Sequence, residues 1–109
     1  MITFDDFLKI DIRIGTILHA EPFPEARKPA YKLTIDFGPL GIKRTSAQIT
    51  KRYALEDLPG KRIAAVVNFP PKQIANFMSE CLVLGAVDGD EVFLLESDGE
   101  NGLRVGEVT

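Results

Sequence analysis

The run VVNFPPKQIANFMSECLVLG, Val66 to Gly85, sets two apolar, β-type segments on either side of a polar connection stiffened by Pro70 and Pro71 and closed by Ser79. Two strands joined through Asn68, Pro70, Pro71, Lys72 and Gln73 hold a loop rich in donors and acceptors at the rim of a small β structure. Loops held by a rigid scaffold carry function more often than the scaffold itself. Taken alone, the run reads as an ordinary β-connection, so its weight depends on the elements around it.

Toward the N-terminus, Ile63 to Val67 shows almost no alternation, as in a strand covered on both faces. Before it, Tyr53 to Leu58 supplies one helical turn, too short to stand alone and ended by Pro59-Gly60. In the segment Ile42 to Ile49, Ala47 and Ile49 point inward, which places Arg44, Ser46 and Gln48 on the opposite, polar face. Leu33, Ile35 and Phe37 face one way and Lys32, Thr34 and Asp36 the other, before Gly38, Pro39 and Gly41 turn the chain. Ala20 to Ala30, with Pro22, Pro24 and Pro29, predicts a loop, because prolines cannot donate to a hydrogen-bond ladder. Ile10, Ile12 and Ile14 alternate with Asp11, Arg13 and Gly15 in a first, half-buried strand. Thr3 caps a short helix, Phe4 to Lys9, with Asp6 as the reciprocal capping partner.

Toward the C-terminus, Cys81 to Val87 and Val92 to Leu95 form a hairpin about Asp88-Gly89-Asp90. Leu103 to Val108 adds a final strand. Five or more short strands, with one helical turn between the third and fourth, predict an all-β fold. The best candidate is the oligonucleotide/oligosaccharide-binding fold (OB-fold), a five-stranded Greek-key barrel, here with a short N-terminal helix. The 109 residues form a single domain, 1–109, that buries a core without disulfides.

Charge is segregated along the chain. Arg27 to Lys72 holds ten Lys/Arg against three acids, whereas from Gln73 onward only Arg104 opposes eight acids. Such asymmetry points to polyanion binding or to pairing between subunits, and its bland alternative is patches that neutralise each other on folding. Thr50-Lys51-Arg52-Tyr53 interleaves charge with an aromatic ring, which suits phosphate contact with base stacking.

Catalytic chemistry finds little support. Cys81 is the only cysteine and His19 the only histidine, so a metal site built from these types, a disulfide and a Cys-His pair are all disfavoured. Cys81 lies in an apolar strand beside Glu80, where its thiolate is disfavoured. Asp88-Gly89-Asp90-Glu91 lacks the ligand spacing of a calcium loop and reads as a turn. No cofactor is expected. The acidic opening MITFDDFLK carries no secretory pattern and no apolar stretch long enough to span a bilayer follows, so a cytoplasmic protein without membrane insertion is expected.

The ordered set Asp11-x-Arg13-x-Gly15-x-Ile17, Lys32-Leu33-x-Ile35-Asp36-x-Gly38, Gln48-Ile49, Gly60-Lys61, Asn68 with Pro71-Lys72, and Ser79 ahead of an apolar strand resembles the tRNA-binding domain family. Within it, FPEARKPAYKL (Phe23 to Leu33), SAQITKRY (Ser46 to Tyr53), NFPPKQIANF (Asn68 to Phe77) and SECLVLG (Ser79 to Gly85) are similar to a branch of dimeric, export-related chaperones. The resemblance implies a barrel whose C-terminal strands build a homodimer. It also implies unfolded or precursor polypeptides as partners, with tRNA-like RNA as a second partner.

On the chaperone reading, Phe69, Pro70, Ile74, Phe77 and Met78 are the peptide-binding candidates, because this stretch has more large apolar side chains than a loop needs. On the RNA reading, Lys32, Arg44, Lys51, Arg52 and Lys72 meet phosphates, while Ser46, Gln48, Asn68 and Ser79 meet base edges or sugars. The chain departs from most tRNA-binding relatives at Ala75-Asn76, where they carry an arginine-glycine pair. Losing that arginine removes a phosphate-binding fork, and Asn76 is expected to take the left-handed backbone conformation of the missing glycine.

Overall fold

Leu33, Ile35 and Phe37, which period-two alternation sets on one face, are completely buried, together with Ile17, in a computed structural model that describes Met1 to Thr109. Helix α1 (Phe4–Leu8) has the expected capping box: the Thr3 hydroxyl accepts from the Asp6 N–H, and the Asp6 carboxylate accepts from the Thr3 N–H. Strand β1 (Ile12–Pro22) is longer than the alternation implied. Its first half pairs with β4 (Arg62–Val66) and its second half with β2 (Tyr31–Asp36), with a register shift between Ile17 and His19. Residues 20–22 therefore belong to a strand and not to the expected loop, because Pro22 sits at the last ladder position, opposite Tyr31, where a missing donor is tolerated.

Strand β3 (Ile42–Ala47) pairs with β2, and a 3-10 turn at Leu55–Asp57 stands where one helical turn was expected. Gly15 shows why the first strand needs a glycine: a Cβ there would lie 2.6 Å from the Ile35 side chain and 2.7 Å from the Phe37 ring. All four of Ile63, Ala64, Ala65 and Val66 are buried, as the unbroken apolar run implied. The antiparallel sheet runs β3-β2-β1-β4 and ends on β7 (Leu82–Val83).

Two segments between Asn68 and Leu94 also differ from the sequence reading. The proline-bearing connection is not all loop: β5 (Lys72–Ile74) and β6 (Phe77–Ser79) form a small hairpin around Ala75-Asn76. At its tip Ala75 has φ of 52°, while Asn76 is not among the positive-φ residues. The apolar stretch 81–87 splits into β7 (Leu82–Val83), which pairs with β4, and β8 (Gly85–Asp88), which leaves to pair with β9 (Glu91–Leu94). Gly85 permits the break, since a Cβ there would meet Val92 at 2.5 Å.

Leu103 to Val108 forms no strand. It makes a single bridge, Arg13 to Arg104, while main-chain bonds Gly102 N to Ile14 O (2.8 Å), Ile14 N to Leu103 O (3.0 Å) and Val105 N to Ile12 O (2.8 Å) lay residues 102–105 along the edge of β1. The segment runs antiparallel to β1, so β2 on the second half of that edge limits where the pairing starts, and it ends at Val105, opposite Ile12, where β1 begins. Arg13 donates to the Gly102 carbonyl (2.9 Å) and pairs with Asp11 (2.6 Å), which fastens the C-terminal segment to the start of β1.

The barrel closes between β3 and residues 79–82 mainly through side chains. Thr45 and Ser79 are its two buried polar residues. Their hydroxyls lie 2.8 Å apart, the Thr45 hydroxyl reaches the Cys81 carbonyl at 2.7 Å, and the Ser46 N–H donates to Ser79 Oγ at 3.3 Å. A main-chain bond from Glu80 N to Arg44 O (2.8 Å) and a main-chain to side-chain bond from the Arg44 N–H to the Glu80 carboxylate (2.8 Å) continue the seam. No buried side-chain polar atom is left unpaired.

Candidate ligand groove and basic face

Beyond the seam, residues 46–49 on one side and 82–85 on the other line an open groove of about 810 Å³. Phe69, Pro70 and Ile74 reach into it from the connection, and Val87 and Val92 from the β8–β9 hairpin. Most of its lining is apolar, and the polar groups are Ser46, Gln48, Lys72, Ser79 and Glu80. Several of these side chains would be buried in an ordinary core: Phe69 is 54% exposed, Leu82 51% and Val87 73%. Gln48 follows β3 on its free side, and its N–H and carbonyl have no main-chain partner. The groove thus offers apolar side-chain pockets beside an unpaired main-chain donor and acceptor, the combination that holds an extended peptide with little regard to sequence.

The structure brings Phe69, Pro70 and Ile74, expected to bind peptide, together with Ser46, Gln48 and Lys72, expected to bind RNA. Three other expected contacts are taken up by the scaffold. Ser79 is buried and its hydroxyl closes the seam. The Asn68 amide donates to the Lys9 carbonyl (2.7 Å) and accepts from the Asp11 N–H (3.0 Å), joining the exit of α1 to the end of β4. Phe77 is buried edge-on against Phe23, with ring centroids 5.4 Å apart. Met78 points the other way on β6, exposed and outside the groove lining. The reading missed the far wall, Leu82, Leu84, Val87 and Val92. Its one signal was Gly85, which interrupts an apolar run that otherwise reads as a single covered strand.

Lys32 and Arg44 stand outward on neighbouring strands, as their parity implied. The Lys32 ammonium lies 4.8 Å from the Phe23 ring centroid and 5.4 Å from that of Phe77, and the Arg44 guanidinium lies 4.8 Å from Phe77. Cations over aromatic faces gain roughly 0.5–2 kcal/mol and keep their charge available. Arg44 also pairs with Glu21 at 2.9 Å.

Lys51 and Arg52 are engaged elsewhere. Lys51 pairs with Asp90 (3.8 Å) and Arg52 with Glu91 (3.3 Å), while Lys61 meets Glu96 (3.6 Å). Opposite charges of the middle and final thirds are thus matched at these positions within one chain, as in the alternative to polyanion binding and subunit pairing in which the patches neutralise each other on folding.

Burial pushes the Cys81 thiol up to about 11. The Thr45 hydrogen bond and the Lys43 charge offset that in part, and the Glu80 charge adds the least. His19 is exposed on β1. The residues form no group of three or more His, Cys, Asp or Glu side chains able to hold a metal ion.

A small barrel of this topology, with an apolar groove beside a cationic face, defines a ligand-binding module of the OB-fold class. The profile described as "Putative tRNA binding domain" matches residues 12–106, and the chain belongs to that family. It is similar to the methionine–tRNA ligase of Porphyromonas gingivalis, 43% identical over 89 residues. That match takes in 82% of this chain and 13% of the ligase, so the chain corresponds to a small part of that enzyme's length. Two solved structures match almost end to end. Chaperone CsaA of Bacillus anthracis is 58% identical with a TM-score of 0.92, covering 97% of this chain and 99% of that one. CsaA chaperone protein of Picrophilus torridus is 59% identical with a TM-score of 0.93, covering 97% and 100%. The expected barrel and the resemblance to the chaperone branch are both borne out.

Proposed function

We propose that this protein is a non-catalytic chaperone that holds unfolded or precursor polypeptides in the groove between β3 and the β7–β9 region. The groove itself carries the reading: large apolar side chains stand exposed around an unpaired main-chain edge at Gln48, which suits extended chains of varied sequence. The similarity to two CsaA chaperones over nearly the whole chain supports it. Fluorescence anisotropy of a labelled, unfolded precursor should show binding that survives high salt and weakens about tenfold when Leu82 or Val87 is made acidic. Binding unaffected by either change would remove the groove from the function.

The working form is a homodimer. Helix α1 has no buried residue, yet it exposes Phe4 (51%) and Leu8 (48%), and the C-terminal segment exposes Leu103 and Val108. Apolar surface on both terminal segments is the raw material of a two-fold contact. The cytoplasm is the proposed compartment; no helix is long and apolar enough to cross a membrane.

A second reading, binding of structured RNA, is favoured by the Lys32 ammonium, which rests on aromatic faces and not on a carboxylate. Together with Arg44 it forms a cationic face, and the family match agrees with a nucleic-acid partner.

A further inference from the structure

The basic stretch Lys51-Arg52 is exposed to solvent but not unpaired, because acids at the turn of the β8–β9 hairpin lie against it. Glu91 and Phe93 are two residues apart on β9 and so point to the same face of the hairpin. Arg52 touches both: its guanidinium lies 4.1 Å from the Phe93 ring centroid and 3.3 Å from the Glu91 carboxylate. Lys51 meets Asp90 at the tip, at 3.8 Å. A third acid, Asp88, faces Glu91 across the hairpin.

We propose that this acidic tip is a built-in competitor for polyanions. It covers Lys51 and Arg52 with tethered carboxylates, so that RNA must displace it to use them. The inference rests on the RNA-binding reading. Each exposed ion pair is weak by itself, but the short tether gives the carboxylates a high local concentration. Stacking on Phe93 holds the Arg52 fork in position to receive them. Lys32, over its aromatic rings and without a carboxylate partner, stays outside this cover, and Arg44 beside it is paired with Glu21 and not with the tip, so a polyanion can engage the protein at Lys32 before it competes for the second pair. The tip thereby lowers affinity for arbitrary polyanions while leaving binding of apolar polypeptide intact.

The test compares the full chain with D90N/E91Q, and with D98N/E100Q, which removes the same charge from side chains that make no ion pair. Binding of labelled tRNA is followed by fluorescence anisotropy over a salt series. D90N/E91Q should bind roughly three- to tenfold more tightly at low salt, with a salt slope steeper by up to about 0.7–0.9 for each of the two cations released. D98N/E100Q should gain much less. Adding K51A/R52A to D90N/E91Q should abolish the gain, and a parent chain that binds tRNA only once D90N/E91Q is introduced would also support the cover. If the parent binds tRNA and D90N/E91Q binds no more tightly, or if D98N/E100Q gains as much, the competitor is refuted and the RNA reading stands. Failure of every variant to bind tRNA would overturn both.

Discussion

Thr45 and Ser79 meet across the seam where β3 approaches β6 and β7, their hydroxyl oxygens 2.8 Å apart and both side chains buried. Each hydroxyl has one proton. The geometry is satisfied when Thr45 donates to the Cys81 carbonyl and Ser79 donates to Thr45 while accepting from the Ser46 N–H. Two short polar side chains thus stand in for ladder bonds that the strands do not make with each other.

Thr45→Val keeps the shape and removes the donor to Cys81, leaving that carbonyl without its best partner. The cost should be about 1–3 kcal/mol, read by urea denaturation. Ser79→Ala should cost about 1 kcal/mol. The double variant should lose less than the sum, because the second change removes a group already orphaned by the first. Strict additivity would show that the two hydroxyls do not act as a unit.

Val87 and Leu82 are exposed groove residues, so Val87→Asp and Leu82→Asp should change stability little. Each should weaken binding of an unfolded polypeptide about tenfold, equivalent to roughly 1.4 kcal/mol. Anisotropy titration checks the first effect and a melting curve the second. Tight binding by both variants would place the polypeptide elsewhere on the surface.

Lys32→Ala and Lys72→Ala each remove a cation from the RNA-facing candidates. If both meet phosphates, affinity for tRNA should fall for all sequences alike, with the salt slope flatter by about 0.7–0.9 per change. An unchanged slope in Lys32→Ala would exclude it as a phosphate contact. Polypeptide binding should be nearly unaffected by Lys32→Ala, since that side chain is outside the groove lining.

Ala75 holds a φ of 52° at the tip of the β5–β6 hairpin, a conformation that costs an L-residue roughly 1 kcal/mol or more. Ala75→Gly should therefore raise stability, by up to about 1 kcal/mol after the added flexibility of the unfolded chain is subtracted. A lower urea midpoint in Ala75→Gly would contradict this.

Cys81 stays protonated in the folded protein up to about pH 11, against an ordinary value of 9.0. Above pH 9 the unfolded chain releases this proton and the folded one keeps it, so stability falls as pH rises between 9 and 11. The loss is on the order of 3 kcal/mol at most for a shift of this size, and it is absent below pH 9. Comparing Cys81→Ala with the parent across that window isolates it from other titrating groups. Slow reaction of the native thiol at neutral pH should accompany it.

Most of the local structure of this protein is legible in its amino-acid order. Period-two alternation sorted Leu33, Ile35 and Phe37 from Lys32, Thr34 and Asp36, and Ala47 and Ile49 from Arg44, Ser46 and Gln48. The capping box at Thr3 and Asp6 and the turn at Gly89-Asp90 were equally legible. These are readable because each depends on neighbours a few residues apart, and side-chain period and turn chemistry are local properties. The partner of each group was set instead by how distant segments come together. Alternation puts Ser79 on a face, but whether that face meets ligand or Thr45, 34 residues away, depends on where the barrel closes. Asn68 is spent on the helix–strand junction 57 residues earlier. Lys51 and Arg52 are matched by a hairpin that the local pattern allowed but could not aim. The groove exists because the apolar run leaves β4 at Gly85, where the close approach of Val92 leaves no room for a Cβ. Closure, charge matching and the groove all arise from contacts between distant segments, which hydrophobic period alone does not encode.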